Sequence, residues 1–246
     1  MQSKGSFGGS VSNGRRLTFY AVVLAAAASF ANASDVFING GFETGDFTGW
    51  TTNIEGGSSG SLFVASGSTT PNSSHLTAGP ASGSFYAVTD QSGGGAYALT
   101  QSFTVAPGET VEVSFDLFAN DYAGTTTFGP LDYTAGPVEF ATVDLLTGSA
   151  NPFSMSPSDV LENFYSGSDA GANPNPWTSY SFDITSLVGG GGTFQIRFGE
   201  ADNENYFNLG IDNVSVDEVA PEPATFFLLG PALGGLIAWR RKVARA

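Results

Sequence analysis

The stretch Val111-Glu112-Val113-Ser114-Phe115-Asp116-Leu117 alternates apolar and polar residues without a break. In a β-strand, successive side chains point to opposite faces, so the Val, Phe and Leu side chains would enter a core while Glu, Ser and Asp face water. The same period of two recurs through most of residues 34–219, and long stretches with the 3.6-residue period of a helix are missing. This pattern predicts an all-β fold, an antiparallel β-sandwich or jelly roll.

Strand-like segments recur at short intervals, separated by clusters of Gly and Pro. They are Ser61–Ala65, Phe85–Asp90, Ala96–Val105, Thr110–Phe118, Val138–Leu146, Thr178–Thr185, Thr193–Gly199 and Leu209–Val216. Two long stretches, Asp121–Gly136 and Asn151–Pro176, interrupt the pattern, and we expect irregular insertions there. The expected core draws on apolar residues of the strands and of the first motif: Phe42, Trp50, Val111, Val113, Phe115, Phe182, Ile184, Phe194, Ile196, Phe198, Ile211 and Val214.

The charge of residues 34–219 is strongly negative. This region contains one basic residue, Arg197, against 22 acidic residues, which gives a formal charge of −21. A nucleic-acid partner is excluded, because no basic surface would neutralise its phosphates. Divalent cations are favoured instead, since carboxylates and carbonyls are the ligands that calcium prefers. The chain has no cysteine, which excludes thiol catalysis and thiolate metal sites.

Two motifs stand at the ends of the strand-rich region. Residues 39–50 read NGGFETGDFTGW, and residues 207–216 read FNLGIDNVSV. Together they resemble the opening and closing elements of carbohydrate-binding-module jelly rolls, which have the galactose-binding-like fold. The resemblance implies that the two motifs lie side by side and that Glu43 and Asp212 are ligands of a structural calcium ion. Each acid is also a common turn residue, and this alternative stays open.

The C-terminal segment, residues 220–246, has three parts. Pro221-Glu222-Pro223 is followed by an apolar run at 224–239 and by the basic cluster Arg240-Arg241-Lys242. This order resembles the PEP-CTERM sorting signal of Gram-negative bacteria. The resemblance implies recognition by an exosortase, transient insertion of a transmembrane helix in the inner membrane, and delivery to the cell surface or its exopolysaccharide. As a helix the run would be roughly 24 Å long, short of a ~30 Å bilayer core. A plain membrane anchor is the alternative, although it would not require Pro-Glu-Pro.

Residues 1–33 have the layout of a secretory signal peptide. Arg15-Arg16 precede an apolar run at 17–30, and Ala31-Asn32-Ala33 supplies small residues at the cleavage positions. We therefore expect a signal peptide at 1–33, an exported β-sandwich at 34–219 and a sorting signal at 220–246. The protein would be membrane-associated before processing and would then reach the cell surface or extracellular matrix.

Aromatic residues support a carbohydrate-binding hypothesis. Trp177 follows the loop sequence Asn-Pro-Asn-Pro, and Phe164 and Tyr165 lie in the preceding insertion. A flat aromatic face can stack on the apolar face of a sugar ring, so these three residues are candidate sugar contacts. Packing in or beside the core is the alternative for each of them.

Catalysis has little support in the sequence, and we expect no enzyme. His75 is the only histidine and lies among Ser, Asn and Thr residues, which favours a solvated side chain over a general base. The densest acidic stretch, Glu200–Asn205, lies between two predicted strands. We expect a solvated loop there, with a second cation site as the alternative.

Three classes of function remain. We favour a non-catalytic surface or matrix protein that is sorted by an exosortase and binds exopolysaccharide. The first alternative is a carbohydrate-binding module with an aromatic face for sugar stacking. The second is a polysaccharide hydrolase or lyase that uses paired carboxylates.

Overall fold

Eleven β-strands and one short helix make up the part of the chain that the computed structural model describes, residues 34–124, 126–168, 171 and 173–219. The strands are β1 (Ser34–Asp35), β2 (Thr51–Ile54), β3 (Ser61–Ala65), β4 (Tyr86–Asp90), β5 (Gly95–Val105), β6 (Thr110–Asp121), β7 (Glu139–Thr147), β8 (Val160–Gly167), β9 (Thr178–Asp183), β10 (Gly192–Asp202) and β11 (Phe207–Val219). The helix α1 (Thr185–Val188) lies between β9 and β10. The predicted signal peptide, Pro221, Glu222, Pro223 and the apolar run 224–239 lie outside the described residues.

The strands form two antiparallel sheets. One, the β11 sheet, has the order β3-β4-β11-β6-β9, with β1 beside the end of β11. The other, the β10 sheet, has the order β2-β5-β10-β7-β8. Successive strands change sheets at most connections, which is consistent with a jelly roll. The predicted all-β sandwich is therefore confirmed.

The core lies between the two sheets, and β6 shows how the sequence builds it. Val111, Val113 and Phe115 are buried, whereas Glu112 between them is exposed. Of the predicted core residues, all are buried except Phe182 and Phe194, and these two are half-buried against the same core. The alternation of apolar and polar residues thus predicted both the strands and the side of each strand that faces inward.

The structure corrects two of the sequence-based expectations. The insertion predicted at Asn151–Pro176 contains β8, an edge strand whose register against β7 shifts twice. The stretch Glu200–Asn205 is not a solvated loop throughout, because β10 continues to Asp202 and the side chains of Glu200 and Asp202 are fully buried. Polar residues occupy core positions there, which a hydrophobic pattern does not reveal.

Irregular segments cover the outer faces of both sheets. On the β10 sheet, Leu131 and Val138 of the segment 122–138 pack on Phe140 and Ala201. On the β11 sheet, Trp177 packs on Tyr86 and Phe118. Much of both faces is therefore closed to a ligand.

Among the described residues, no helix is long and apolar enough to span a bilayer.

Candidate functional site

The first and last motifs meet in the sandwich, as predicted. The Val214 amide donates to the carbonyl of Gly40 at 3.0 Å, and the Val36 amide donates to that of Val216 at 2.9 Å. The approach at Gly40 is close enough that a Cβ there would lie 1.8 Å from the Val214 carbonyl oxygen. Phe42 and Ile211, one from each motif, belong to the same buried core.

Glu43 and Asp212 lie at this junction and bind the same loop. Asp212 Oδ2 accepts hydrogen bonds from the backbone amides of Ala81 (2.9 Å) and Ser82 (3.2 Å). Glu43 Oε1 accepts from the amides of Ser84 (2.9 Å) and Phe85 (3.0 Å). Burial raises the pKa of Asp212 to about 6 despite these donors. The two acids therefore fasten residues 81–85 to the junction of the motifs.

This arrangement supplies only part of a calcium site. Calcium takes six to eight oxygen ligands, and carbonyls and water would have to complete a shell begun by two carboxylates. Within the described ranges, no three His, Cys, Asp or Glu side chains are grouped so that they could hold a metal ion. This finding gives no support to a second cation site at Glu200 and Asp202. The calcium site at Glu43 and Asp212 stays a prediction.

Trp177, a candidate sugar contact, is packed against neighbouring side chains. Its ring centroid lies 4.6 Å from that of Phe118 and 5.8 Å from that of Tyr86. Its indole N–H donates to the carbonyl of Gly79 at 2.9 Å. These contacts fix the indole on the outer face of the β11 sheet and hold the segment 66–85 against it.

Phe164 and Tyr165 lie elsewhere, at the edge of the core between β8 and β9. Phe164 is buried and stacks on Phe182 at a centroid distance of 4.8 Å. Tyr165 is half-buried, with its ring 5.9 Å from that of Tyr180. The structure therefore brings Phe164 and Tyr165 to one edge and does not bring Trp177 into the same surface.

Three other aromatic side chains form a cluster that the sequence analysis missed, which we call the rim. It consists of His75, Tyr122 and Tyr206. The His75 ring lies 4.6 Å from Tyr122 in a tilted stack and 4.4 Å from Tyr206 in an edge-on contact. Tyr206 is 39% exposed, so one part of its ring faces solvent. His75, expected to be solvated, is instead half-buried between two phenol rings.

Strand register explains why the two tyrosines meet. Asp121 at the end of β6 pairs with Phe207 at the start of β11, so the next residues outward are Tyr122 and Tyr206. The Tyr122 amide donates to the Tyr206 carbonyl at 3.1 Å. Had the β6–β11 pairing been known, the sequence would have indicated this pair, whereas nothing local would have added His75.

A cleft of ≈ 240 Å³ adjoins the rim and shares Tyr206 with it. Its other lining residues are small or polar: Ser92, Gly93, Gly94, Asn203, Glu204 and Asn205. Asn203 and Glu204 are exposed and are held in place, since Asn203 Nδ2 donates to the carbonyls of Tyr133 and Gly136 and Glu204 accepts from Thr127 at 2.7 Å. A ring face and several oriented polar groups thus converge on one opening.

Buried acidic side chains lie at the same end of the sandwich, in its interior. Gln91 Nε2 donates to Glu200 at 2.7 Å and to Asp202 at 2.8 Å, and the Thr89 hydroxyl donates to Glu200. Burial raises the pKa of Glu200 and of Asp202 above the ordinary values for these acids. Glu139 is equally buried and lies opposite Asp202 in the ladder between β7 and β10. None of these three carboxyl groups is open to a ligand outside the sandwich.

Comparisons with known proteins find solved structures that resemble this one at low sequence identity. No protein-family model matches the chain, and no curated protein does. A carbohydrate-binding module, TmCBM61, solved with β-1,4-galactotriose, is 13% identical at a TM-score of 0.46, over 74% of this chain and 97% of that one. The CBM22-1 xylan-binding domain of Xyn10C from Paenibacillus barcinonensis is 15% identical at a TM-score of 0.43, over 79% and 99%.

A solved structure of a different kind is similar to the same extent. The Stig cyclase Fisc from Fischerella sp. TAU is 18% identical at a TM-score of 0.45, over 78% of this chain and 100% of that one. At these identities and TM-scores, the likeness does not indicate what this chain binds or whether it catalyses a reaction.

Proposed function

We propose that residues 34–219 form a non-catalytic carbohydrate-binding domain whose ligand contacts the rim and its cleft. The observation that carries this proposal is the exposed Tyr206 ring, buttressed by His75 and opening onto a cleft lined by Asn203, Glu204 and Asn205. Ligand sites combine aromatic surface with a few placed polar groups. A sugar ring meets both requirements, with an apolar face for the tyrosine and hydroxyl groups for Asn205 and the Glu204 carboxylate.

The charge of the domain narrows the class of sugar. With a formal charge of −21, the domain repels an anionic polysaccharide unless cations intervene. Glu204 at the cleft adds a local negative charge. We therefore expect a neutral glycan, with hydroxyl groups donating to the Glu204 carboxylate, rather than a uronic-acid or sulfated polymer.

A hydrolase or lyase receives less support from the same geometry. Paired carboxylates for glycoside hydrolysis must flank a bound sugar, with one carboxyl group of raised pKa as the acid. Glu139, Glu200 and Asp202 have raised pKa values, yet their side chains are fully buried. Glu204 lines the cleft without an acidic partner among the described lining residues.

The location belongs to the same proposal and rests on the ends of the sequence. The signal peptide at 1–33 directs export, and the segment 220–246 serves as a sorting signal for an exosortase in a Gram-negative bacterium. The sandwich would then remain at the cell surface, where exopolysaccharide is the nearest glycan. A plain membrane anchor would also leave the domain outside the cytoplasm, but held at the inner membrane and without processing.

The test is binding of the purified domain to a glycan array, followed by calorimetry on the best neutral oligosaccharide. Tyr206→Ala should lower the affinity at least tenfold, because stacking on its ring is lost while the fold is retained. Leu187→Ala is the matched control, since Leu187 is also 39% exposed but lies in α1 near the opposite end of β10. Equal binding by both variants would contradict the rim site, and loss in folded Trp177→Ala alone would move the site to the β11 sheet.

A further inference from the structure

Two acidic residues close the base of the segment 122–138 that covers the β10 sheet. Asp121 is the last residue of β6, and Glu139 is the first residue of β7. Their side chains interact with each other, and Glu139 lies opposite Asp202 in the ladder between β7 and β10. Glu139 is 0% exposed and Asp121 3% exposed, so solvent does not separate them.

The hydrogen bonds leave one oxygen of each carboxyl group without a donor. Glu139 Oε2 accepts from the Asn205 amide at 3.1 Å, and Asp121 Oδ1 accepts from the Gly124 amide at 2.8 Å. Glu139 Oε1 and Asp121 Oδ2 are buried and receive no hydrogen bond from the described residues. Two ionised carboxylates can only accept, whereas one proton placed between them gives both remaining oxygens a partner.

We propose that Glu139 keeps its proton at neutral pH and donates it from Oε1 to Asp121 Oδ2, forming an acid–carboxylate clasp across the base of the segment 122–138. Two buried oxygens without hydrogen bonds and two neighbouring negative charges would each destabilise the folded state. A shared proton removes both of these unfavourable contributions. The inference concerns the stability of the sandwich and does not depend on sugar binding.

The groups around the clasp favour the proton. Asp202 approaches from β10, and Glu200 of β10 and Tyr97 of β5 interact with Asp202 in turn. Arg197, the one arginine or lysine among the described residues, is bound to Asp144 on the outer face of the β10 sheet and does not neutralise these acids. Burial, followed by the charges of Asp202 and Asp121, raises the pKa of Glu139 to about 9.

Hydrogen bonds connect the clasp to the rim. Glu139 holds the Asn205 amide, Asn205 Nδ2 donates to the Tyr122 carbonyl at 2.8 Å, and Tyr122 in turn pairs with Tyr206. Loss of the proton would place repelling charges beneath this chain of hydrogen bonds. The β10–β11 turn and the start of the segment 122–138 should therefore loosen together.

Because protonation and folding are linked, the clasp should be detectable in the pH dependence of the free energy of unfolding. Glutamate in the unfolded chain has a pKa near 4.3, so between that pH and about 9 the folded state holds a proton that the unfolded state has lost. The resulting stability is fully present below the lower pKa and is lost as pH rises through the upper one. Each such proton makes the unfolding constant grow about tenfold per pH unit.

The experiment is urea unfolding of the domain from pH 5.5 to 8.5 in wild type, Glu139→Gln and, as control, Glu162→Gln. The carboxamide at position 139 still donates to Asp121 and accepts from Asn205 but cannot titrate. We expect its pH dependence to be shallower than wild type by about tenfold per pH unit in the unfolding constant. Glu162 is exposed on β8, so its variant should keep the wild-type dependence.

A second variant and a direct measurement cover the case in which Glu139→Gln does not fold. Asp121→Asn should also reduce the pH dependence, because its amide can donate to an ionised Glu139. Residue-assigned carbon-13 NMR of the wild-type carboxyl groups should show that the Glu139 signal titrates above pH 7. Absence of such a signal, or unchanged pH dependence in a folded variant, would overturn the clasp. So would a calcium-induced stabilisation that survives Asp212→Asn but is lost in Glu139→Gln, because a cation would then occupy the place of the proton.

Discussion

At the scale of single residues, the acids of this domain behave in two opposite ways. Asp46 and Asp183 are exposed and Asp132 is half-buried, and each begins the sequence Asp-x-Thr, in which the carboxylate accepts a hydrogen bond from the amide of the Thr two residues later at 2.8–2.9 Å. The Thr hydrogen bonds lower the pKa of each of these aspartates. Buried acids such as Glu200 have a raised pKa. Local sequence predicts the first group, because an aspartate that caps its own turn needs no distant partner.

Asp212 accepts backbone hydrogen bonds like the first group and has a raised pKa like the second. The calcium prediction depends on this residue. Its oxygens accept three backbone amides, from Ala81, Ser82 and Asn213, and burial still raises its pKa. A calcium ion shared with Glu43 would favour the ionised form of the buried Asp212 carboxylate. At a hundredfold excess over its dissociation constant, the ion would add about 2.7 kcal/mol to the free energy of unfolding. We therefore expect the melting temperature to rise in millimolar calcium relative to chelator at fixed ionic strength.

The variant Asp212→Asn should blunt this calcium response, and Glu162→Gln should leave it intact. Asp212→Asn should also lower the melting temperature in chelator, since an amide is a weaker acceptor for three backbone N–H groups. Identical wild-type melts in calcium and chelator would show that Glu43 and Asp212 only fasten the loop 81–85.

At the scale of elements, one buried ion pair joins the loop between β7 and β8 to the outer face of the β10 sheet. Arg197 on β10 contacts Asp144 on β7 at 2.5 Å, with both side chains buried. Its Nη1 donates to the carbonyls of Pro152 (3.1 Å) and Ser154 (2.6 Å). Asn163 of β8 donates to the same carboxylate at 2.8 Å. One arginine therefore joins two strands and the loop that covers them.

Removal of this arginine should be among the most damaging substitutions in the sandwich. Arg197→Met leaves Asp144 buried without its counter-charge, and we expect a loss of about 3–5 kcal/mol in the free energy of unfolding, measured in urea. The double variant Arg197→Met with Asp144→Leu should recover a large part of that loss. A loss below about 1 kcal/mol in the single variant would mean that the pair contributes no more than a surface ion pair.

The sequence predicted most strands, and the exceptions have physical causes. β6 alternates cleanly because one face meets the core. β8 does not, since Val160-Leu161-Glu162-Asn163-Phe164-Tyr165 lies at an edge and its register against β7 shifts twice. Strand β10 was predicted to end before Glu200 because acidic residues rarely occupy core positions.

The candidate site was less predictable than the fold. Trp177 stood out as a large aromatic after a loop, and the structure gives it neighbours that hold it in place. The rim depends on contacts between residues far apart in the sequence, since His75 comes from the loop after β3 while Tyr122 and Tyr206 flank paired strands. Such contacts follow from topology and register, which a single sequence does not supply.

At the scale of the whole molecule, the two ends of the sandwich lie together. Ser34 pairs with Glu218 in the ladder between β1 and β11, and Thr110 of β6 pairs with Val219 on the other side. The strands therefore begin directly after the predicted signal-peptide cleavage site and end just before Pro221. Cleavage at both predicted sites would remove none of the strands in the described part of the chain.

This geometry supports a final prediction about processing. The protein isolated from the cell surface should start near Ser34 and end close to Pro221-Glu222-Pro223, because a sorting protease can cut there without disturbing β11. Intact-mass analysis of the surface fraction measures both ends at once. A variant with alanine in place of Pro221, Glu222 and Pro223 should keep its tail and stay in the membrane fraction, while its sandwich melts at the same temperature. Recovery of surface protein that still contains Trp239 and Arg240 would contradict sorting and would leave a simple C-terminal anchor as the function of residues 220–246.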